Sequence, residues 1–458
     1  MSFNIADNGK KRVVIVGGGF GGLRLARDLR KSDYQVVLID KNNYHQFPPL
    51  IYQIATAGLT PGDISFPYRK IFEDRSDYFY RMAELRAVYA DKNYIQTSIG
   101  KLSYDYLVLA CGTKTNFFHN SNIEASAVPM KTISEAMGLR NTILSNFERA
   151  ITCSDEKERQ ELLNVVIVGG GPSGVEIAGA LAEMRKYVVP KDYPDMDISL
   201  MNIILVQGAK RLLPGMSEKA SGLSLKFLEK MGVKVRLGTR VTDYADHAAV
   251  LNSGESIPTR NLIWVGGVIC PDIPGIGKGA IGRGNRILVD EHCRVDGTDN
   301  IFAIGDIALM HGDPSYPEGH PQMAQPAIQQ GDLVARNLRA LAKGGKEVPF
   351  RYRDLGSMAT IGRNKAVADI AGMHFGGFFA WLIWMFVHLM SILGVKNKFS
   401  VFFDWVWSYF TYDRSNRMIL KSAATKEMKD LEQRIRESHW GDLKSAPESA
   451  DGKESREG

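Results

Sequence analysis

Apolar residues near the start of the chain form two compact blocks, residues 13–16 (VVIV) and 36–39 (VVLI). Between them Leu23, Ala26 and Leu29 recur at about one helical turn. A short continuous apolar run suits a strand buried on both faces, as in a parallel sheet, and the 3.6-residue period suits a helix packed on it. The order predicts a strand–helix–strand unit. The pattern returns at residues 165–168 (VVIV), in a helical stretch from about Gly174 to Val188, and in a second strand over residues 202–207 that ends on Gln207. Residues 107–111 predict a further buried strand running into Gly112. Residues 261–267 predict another, ending on Gly267, and residues 300–306 a third that finishes in Gly305-Asp306. Residues 134–164, with a charged stretch from Ser154 to Glu161, and residues 323–342 read as helical. Residues 187–200 form an insertion carrying Pro190, Pro194 and three Asp residues, to which no chemistry attaches.

The pattern changes after Gly344-Gly345. Residues 375–395 (FGGFFAWLIWMFVHLMSILGV) contain two polar side chains, His388 and Ser391. By length the segment could cross a bilayer. In the next stretch Ser400, Asp404, Ser408 and Thr411 share one helical face and aromatic or aliphatic residues cover the rest, the pattern of an interfacial helix. Lys396, Lys398, Arg414, Arg417 and Lys421 could meet lipid phosphates. The pattern predicts a helical hairpin that dips into one leaflet. Full spanning by the first helix and burial in a homodimer core are the alternatives. Met428, Leu431 and Ile435 make a thin apolar stripe on a charged helix, docked or dimer-facing, and residues 443–458 read as disordered.

Composition narrows the function classes. The 458 residues, 44% of them hydrophobic, suffice for two or three domains with sizeable cores. A net charge of +6 is too diffuse to argue for nucleic acid, though clustered it would suit an anionic membrane surface. The four cysteines (Cys111, Cys153, Cys270, Cys293) are far apart in sequence. That removes the common zinc spacings and the vicinal redox disulfide, and fits a reducing compartment with no metal site. The N-terminal MSFNIADNGKKR lacks the pattern of a secretory signal, so the catalytic part is expected in the cytoplasm.

Chemistry enters with the glycines. Gly17, Gly19 and Gly22, and again Gly169, Gly171 and Gly174, form G-x-G-x-x-G between strand and helix. The first glycine permits the tight turn, the second lets a pyrophosphate approach the backbone, and the third lets helix and strand pack closely. The helix N-terminus offers free N–H groups to the phosphates. Asp40, 18 residues after Gly22, is placed to accept from ribose hydroxyls. At the matching position the second copy carries Gln207, which would repel a 2′-phosphate less than a carboxylate does. NADH is therefore expected there, with NADPH admissible. Two nucleotide sites without a metal motif imply a flavin between nicotinamide and acceptor.

Several motifs together resemble the type II (non-proton-pumping) NADH dehydrogenases, over residues 12–420. They are VVIVGGGFGGL with Asp40, PPLIYQIA at 48–55, LVLACG at 107–112, VVIVGGGPSGVEIAGAL, IFAIGD at 301–306, and AQPAIQQ at 324–330. The PPLIYQIA and AQPAIQQ segments are the more specific. The resemblance implies an α/β fold with two Rossmann-like dinucleotide-binding domains in a glutathione-reductase-like arrangement, plus a C-terminal membrane-associating helical module. Expected boundaries are 1–120 and 291–345 for a split FAD domain and 121–290 for an NADH domain inserted in it. A membrane-anchoring module follows at 346–422, then a charged helix and tail at 423–458.

The implied activity is respiratory electron transport from NADH through FAD to a membrane quinone. The protein would be peripheral on the cytoplasmic face of the membrane, held to lipid through residues 375–421. By position Asp40 implies a ligand of the FAD ribose and Asp306 one of the ribityl–phosphate region. Glu176 implies a group near nicotinamide and flavin, and Gln325 and Gln329 a pair facing the quinone. Lys41, Gly112 and Gly267 join the nucleotide-binding residues. Cys111 departs from the usual Thr, which leaves the backbone role of Gly112 intact. On the residues alone, Glu176 is expected in the first turn of its helix, where the dipole favours a carboxylate. Gln325 and Gln329, four apart, share one helical face and can donate to quinone carbonyls. A soluble-acceptor NAD(P)H flavoprotein reductase and a non-enzymatic flavin-binding redox sensor are the alternatives. Sulfide:quinone and disulfide reductases need a cysteine pair that this chain lacks.

Overall fold

The structure, a computed structural model, describes residues 3–73, 78–414 and 416–420. The two apolar repeats become two five-stranded sheets. In the first, the strand order is Ile301–Ala303, Tyr106–Leu109, Lys11–Val16, Tyr34–Asp40, Tyr78–Met82, all parallel. In the second it is Val128–Pro129, Asn261–Trp264, Val165–Val168, Ile203–Gln207, Lys234–Leu237, again all parallel. The glycine-loop strand is central in both. Val13 to Val16 and Val165 to Ile167 are almost fully buried, as strands covered on both faces must be. The strand at Ile301–Ala303 returns to the first sheet after the second is complete, so the first sheet is split in sequence. A two-stranded ribbon, Lys114–Thr115 against Val268–Ile269, links the chain leaving the first sheet with the chain returning to it.

The helices that follow the glycine loops run Phe20–Asp28 and Pro172–Tyr187. The predicted single helical stretch at 134–164 is two helices, Ile133–Thr152 and Glu156–Leu163. The charged stretch contains the break. Asp155 accepts from the backbone N–H of Lys157 and Glu158 and caps the second helix. The helix predicted over 323–342 runs Ala324–Ala342 and packs on the first glycine-loop helix. Glycines make that approach possible, because a Cβ on Gly331 would lie 2.6 Å from the Gly21 carbonyl oxygen.

Past residue 345 the structure differs from the pattern. An antiparallel sheet of three strands, Ser357–Gly362, Lys365–Ile370 and Met373–Gly377, precedes the helices. The residues read as the start of a long apolar helix are therefore its third strand. The helix proper is Phe378–Ser391 and a second helix is Val395–Thr411. Fourteen residues extend about 21 Å, short of the ~30 Å hydrocarbon core. Among the described residues no helix is long and apolar enough to cross a membrane.

The hairpin is docked by its polar face. Asn397 Nδ2 donates to the backbone oxygens of Gly62, Asp63 and Ser65, Ser400 Oγ donates to Asp63 at 2.7 Å, and Trp405 Nε1 donates to Gln53 at 2.8 Å. The outer face is left apolar, with Phe379, Phe386, Phe403, Trp407 and Phe410 all exposed. Of the stripe of polar residues on that helix, Ser400 bonds the protein and Ser408 lines a cavity beside it.

Two of the cations expected to meet lipid are spent inside. Arg414 is buried against Glu183 at 3.2 Å, and Arg417 pairs with Asp192 at 2.6 Å and Asp413 at 2.9 Å. Lys398 donates to the Met390 carbonyl at the end of the first hairpin helix, while Lys396 is exposed. The 187–200 insertion acquires a role here, since its Asp192 holds Arg417 and its Tyr193 donates to Glu148 at 2.8 Å. Lys421, the Met428/Leu431/Ile435 stripe and the 443–458 tail lie outside the described residues.

Candidate active site

The two glycine loops have the same geometry at their three motif glycines. Gly17 and Gly169 take positive φ (103° and 112°). A Cβ on either would press on the neighbouring strand's backbone, 2.2 Å from the Ala110 oxygen and 2.6 Å from the Val265 oxygen. A Cβ on Gly22 or Gly174 would meet the carbonyl of the first glycine at 1.9 or 1.7 Å. At Gly19 and Gly171 a Cβ would meet nothing within 4 Å. The middle glycine of each loop thus opens on empty space at a helix N-terminus, where a pyrophosphate fits.

The acid position also repeats. Asp40 Oδ2 accepts from Gly18 N–H at 2.6 Å and Oδ1 from Asn42 N–H at 2.7 Å. Gln207 Oε1 accepts from Gly170 N–H at 2.9 Å. Burial pushes the Asp40 carboxyl above its ordinary value, against the pull of those backbone N–H groups. His45 Nδ1 and the Tyr68 hydroxyl both bond the Gly18 carbonyl, at 2.9 and 2.8 Å, and pin the loop. Neither was legible from spacing, because both approach from elsewhere in the chain.

Asp306 follows Gly305, whose φ is +74°, and whose N–H donates to Gln330 Oε1 at 2.7 Å. The Thr113 hydroxyl donates to Asp306 at 3.3 Å, and Gly112, at φ +65°, makes the turn before it. Cys111 keeps a weak thiol hydrogen bond to the Val16 carbonyl at 3.7 Å, and burial pushes its thiol up to about 12. Lys131 is a half-buried neighbour of Asp306 that the sequence pattern did not single out. Burial lowers its ammonium, and Asp306 and Glu135 oppose that. Gly267 lies beside the Phe118 ring, and its carbonyl accepts from Asn116 N–H.

Glu176 is not in the first turn of its helix. Pro172 starts the helix, so Glu176 belongs to the second turn and is buried rather than exposed to the helix end. Burial raises its carboxyl well above the ordinary range, opposed by a hydrogen bond from the Thr360 backbone. It lines a cavity of about 110 Å³ with Tyr52, Glu183, Trp384, Trp405 and Arg414. Four parts of the chain meet there: the PPLIYQIA segment, the Glu176 helix, the antiparallel sheet and the hairpin. Gly179 lets the sheet approach, since a Cβ on it would lie 1.7 Å from the Ile361 oxygen. Glu183, one face with Glu176, accepts from Arg363 N–H at 2.5 Å, and the Arg363 guanidinium donates to the Ser408 and Tyr409 carbonyls.

An aromatic seam joins the hairpin to the first glycine loop. Phe20 meets Phe47 at 5.8 Å, Phe47 meets His388 at 6.3 Å, and His388 stacks on Trp384 at 4.2 Å. Burial pushes the His388 imidazole down to about 4.

Gln325 and Gln329 lie on one helix, as their spacing implied, but differ in engagement. Gln329 exchanges two hydrogen bonds with the backbone of Arg353, at 2.9 and 3.0 Å. Gln325 is half-buried and its side chain bonds to none of the described residues.

Two open cradles, an acid in one and an amide in the other, and a buried carboxyl beside the C-terminal helical hairpin define a two-dinucleotide oxidoreductase. The family comparisons agree. The pyridine nucleotide-disulphide oxidoreductase model matches residues 11–331, and the NDH2 C-terminal domain model matches 355–412. The chain is 32% identical to the type II NADH:quinone oxidoreductase Ndh of Mycobacterium tuberculosis over 91% of both chains, and 33% identical to NdhA of the same organism over 90% of both. The solved structure of Plasmodium falciparum NDH2 with NADH superposes with a TM-score of 0.83 at 22% identity, covering 90% of this chain and all of that one. Sulfide:quinone oxidoreductase from Aquifex aeolicus shares the fold at a TM-score of 0.66 and 18% identity, covering 93% of this chain and 95% of that one. The chain belongs to the pyridine nucleotide-disulphide oxidoreductase family and, within it, to the type II NADH:quinone oxidoreductases.

Proposed function

We propose that this protein is an FAD-dependent enzyme that oxidises NADH and reduces a membrane quinone. The observation that carries the reading is the pair of open glycine cradles, one closed by Asp40 and one by Gln207. The Asp40 cradle, with Gly17, Gly19, Gly22, Lys41, Gly112 and Asp306, suits FAD. Asp40 would accept from the ribose hydroxyls of the bound cofactor, and Asp306, with Lys131 near it, would hold its ribityl–phosphate region. The Gln207 cradle, with Gly169, Gly171, Gly174 and Gly267, suits the nicotinamide dinucleotide. A bound flavin supplies a two-electron acceptor for the nicotinamide and a donor to quinone. Everything else required is positioning. The domain division that follows is a split FAD domain (1–120 and 291–345), an inserted NADH domain (121–290) and a membrane module (346–422).

The cavity at the hairpin is the quinone approach. Its walls include Trp384 and Trp405, which exclude water from a ring, and Glu176, whose raised acidity range keeps a proton available for transfer to a quinone oxygen. Gln325 is not among the residues that line this cavity. Its amide, free among the described residues, would donate to a quinone carbonyl from the Ala324–Ala342 helix, while Gln329 holds the Arg353 segment in place. The outward apolar face of the hairpin binds lipid, so the enzyme sits on the membrane as a peripheral protein. A homodimer is compatible with this arrangement.

Two variants test the assignments. Gln325→Ala is expected to raise quinone KM about tenfold, the worth of one to two kcal/mol of hydrogen bond, with flavin reduction by NADH unaltered in stopped flow. An unchanged KM removes the role. Glu176→Gln is expected to retain FAD and turn over more slowly with quinone. It also has a stability signature. The buried Glu176 carboxyl binds its proton more tightly in the folded protein than in the unfolded chain, whose value is about 4.3. Its stabilisation is complete below the unfolded value and is lost as pH rises through the folded one. Glu176→Gln cannot ionise, so it is expected to gain in melting temperature over the parent as pH rises, with the gain smallest near pH ~4. A gap independent of pH contradicts the buried-acid assignment.

A further inference from the structure

The strand Asn261–Trp264 runs beside the second glycine-loop strand, on the side opposite the strand that ends on Gln207. Its continuation touches the loop, since a Cβ on Gly169 would lie 2.6 Å from the Val265 oxygen and 2.7 Å from Gly266 Cα. A dinucleotide lies across such a crevice, its adenosine at one flanking strand end and its second half toward the other. With Gln207 at the adenosine end, the second half is directed toward Val265–Gly267.

An aromatic ring stands over that end. A Cβ on Gly267 would lie 3.0 Å from Phe118 Cζ and 3.4 Å from Cε2. Gly267 has no left-handed φ, so its backbone would admit a side chain and the ring is what occupies the space. Phe118 is nonetheless 60% exposed. Its neighbour Phe117 turns inward and packs on Trp264 at 6.2 Å, while Phe118 gains an edge contact with the same indole at 6.4 Å. Phe118 (φ +53°) and His119 (φ +60°) are the central residues of a turn closed by Asn120 N–H on the Phe117 carbonyl at 3.1 Å. Glycine, asparagine and aspartate favour that conformation, and a bulky side chain adopts it at a cost.

The turn is held from three directions. Phe118 N–H donates to Asn116 Oδ1 at 2.8 Å, Trp264 Nε1 donates to the Asn116 carbonyl at 2.8 Å, and Asn120 Nδ2 donates to the Thr242 carbonyl at 2.9 Å. Backbone strain persists where the surroundings over-determine it, and such positions collect at ligand clamps. The turn also stands where segments of the two cradles run together. Thr113, which donates to Asp306, is five residues before Phe118, and Cys270, whose thiol donates to the Asp306 carbonyl at 3.4 Å, is three after Gly267. The ribbon of Lys114–Thr115 and Val268–Ile269 ties the two segments together.

We propose that Phe118 is a binding residue for the nicotinamide end of the coenzyme, its ring forming the wall against which the nicotinamide riboside packs. The inference rests on the reading of the second cradle as the nicotinamide site, and adds a residue that lies in neither the glycine motif nor the strand end. A flat apolar ring suits a flat heterocycle, and covering its exposed face favours binding. Held rigidly, the ring also orients the heterocycle for transfer.

The test is titration of the FAD-loaded enzyme with NAD+ and with ADP-ribose by calorimetry, and with NADH by anaerobic flavin reduction. Phe118→Ala is expected to raise the Kd of NAD+, and the NADH concentration that half-saturates flavin reduction, about tenfold or more, the loss of one large aromatic contact. ADP-ribose, which lacks the nicotinamide, is expected to bind within about twofold of the parent value, because the pyrophosphate and adenosine contacts stay. Phe118→Tyr keeps the ring and is expected to hold all three values within about twofold. Phe118→Asn separates a ligand role from a structural one. Asparagine tolerates the left-handed turn, so the melting temperature is expected to equal or exceed the parent's while NAD+ binding weakens as in Phe118→Ala. Unchanged NAD+ affinity in Phe118→Ala, equal weakening of NAD+ and ADP-ribose, or a lowered melting temperature in Phe118→Asn overturns the role of the ring and leaves the cradle standing. Failure of the parent to bind ADP-ribose overturns both.

Discussion

Gly19→Val is expected to purify folded but without flavin, and Gly171→Val to purify with flavin that NADH no longer reduces. At both positions a Cβ meets no protein atom within 4 Å, so the added side chain has room and the fold has no reason to fail. What the branched side chain fills is the space in front of a helix N-terminus, where the second glycine of the loop lets a pyrophosphate touch the backbone. Forcing a ligand against that bulk costs about 3 kcal/mol, on the scale of overpacked cores, or a hundredfold or more in affinity. Gly17→Val or Gly22→Val would be poor tests. Their side chains would strike the Ala110 and Gly17 carbonyls, and loss of flavin would then follow from misfolding. The absorbance spectrum of each purified variant, followed by a stopped-flow mix with NADH, reads both outcomes. If Gly19→Val keeps flavin and Gly171→Val loses it, the assignment of the two cradles is reversed.

The second large effect belongs to the hairpin. Phe379, Phe403 and Phe410 are 73%, 64% and 77% exposed on its outer face, while Trp384, Val401 and Trp405 on the inner face are buried. Each outer ring moved from water into lipid is worth about 1.5–3 kcal/mol, and three together roughly 5–9 kcal/mol. Replacing all three with Glu is therefore expected to weaken vesicle binding by a thousandfold or more. The docking contacts of Asn397, Ser400 and Trp405 are untouched, so the melting temperature should move little. Activity should then depend on the acceptor. A short-chain quinone dissolved in water should still be reduced, whereas a long-chain quinone confined to vesicles should not. Full vesicle binding by the triple variant would contradict the lipid role of this face.

These expectations draw unequally on sequence and structure. The two parallel sheets were legible because a strand buried on both faces is a contiguous β-branched run, and because the glycine spacing is dictated by ligand geometry rather than by the rest of the fold. Asp40 and Gln207 were found the same way, as the last residue of the strand that follows each loop's helix. Glu176 was placed one turn too close to its helix start. Pro172, preorganised for a first helical position, was the unread signal.

The antiparallel sheet at 357–377 escaped because its strands are short and rich in Ala and Gly, and because its last residues run straight into an apolar helix without a break in hydropathy. What docks the hairpin's polar side was not legible for a related reason, since its partner is the segment Gly62–Ser65, more than three hundred residues away. The cavity, like the Arg414–Glu183 pair that borders it, is assembled from four distant segments and has no local signature at all.

The most direct test of the account is a two-step anaerobic titration of the FAD-loaded enzyme. Added NADH is expected to bleach the visible flavin band with one equivalent per flavin, and subsequent quinone to restore it fully. A flavin that NADH does not bleach, or that stays bleached in the presence of quinone, would contradict the account.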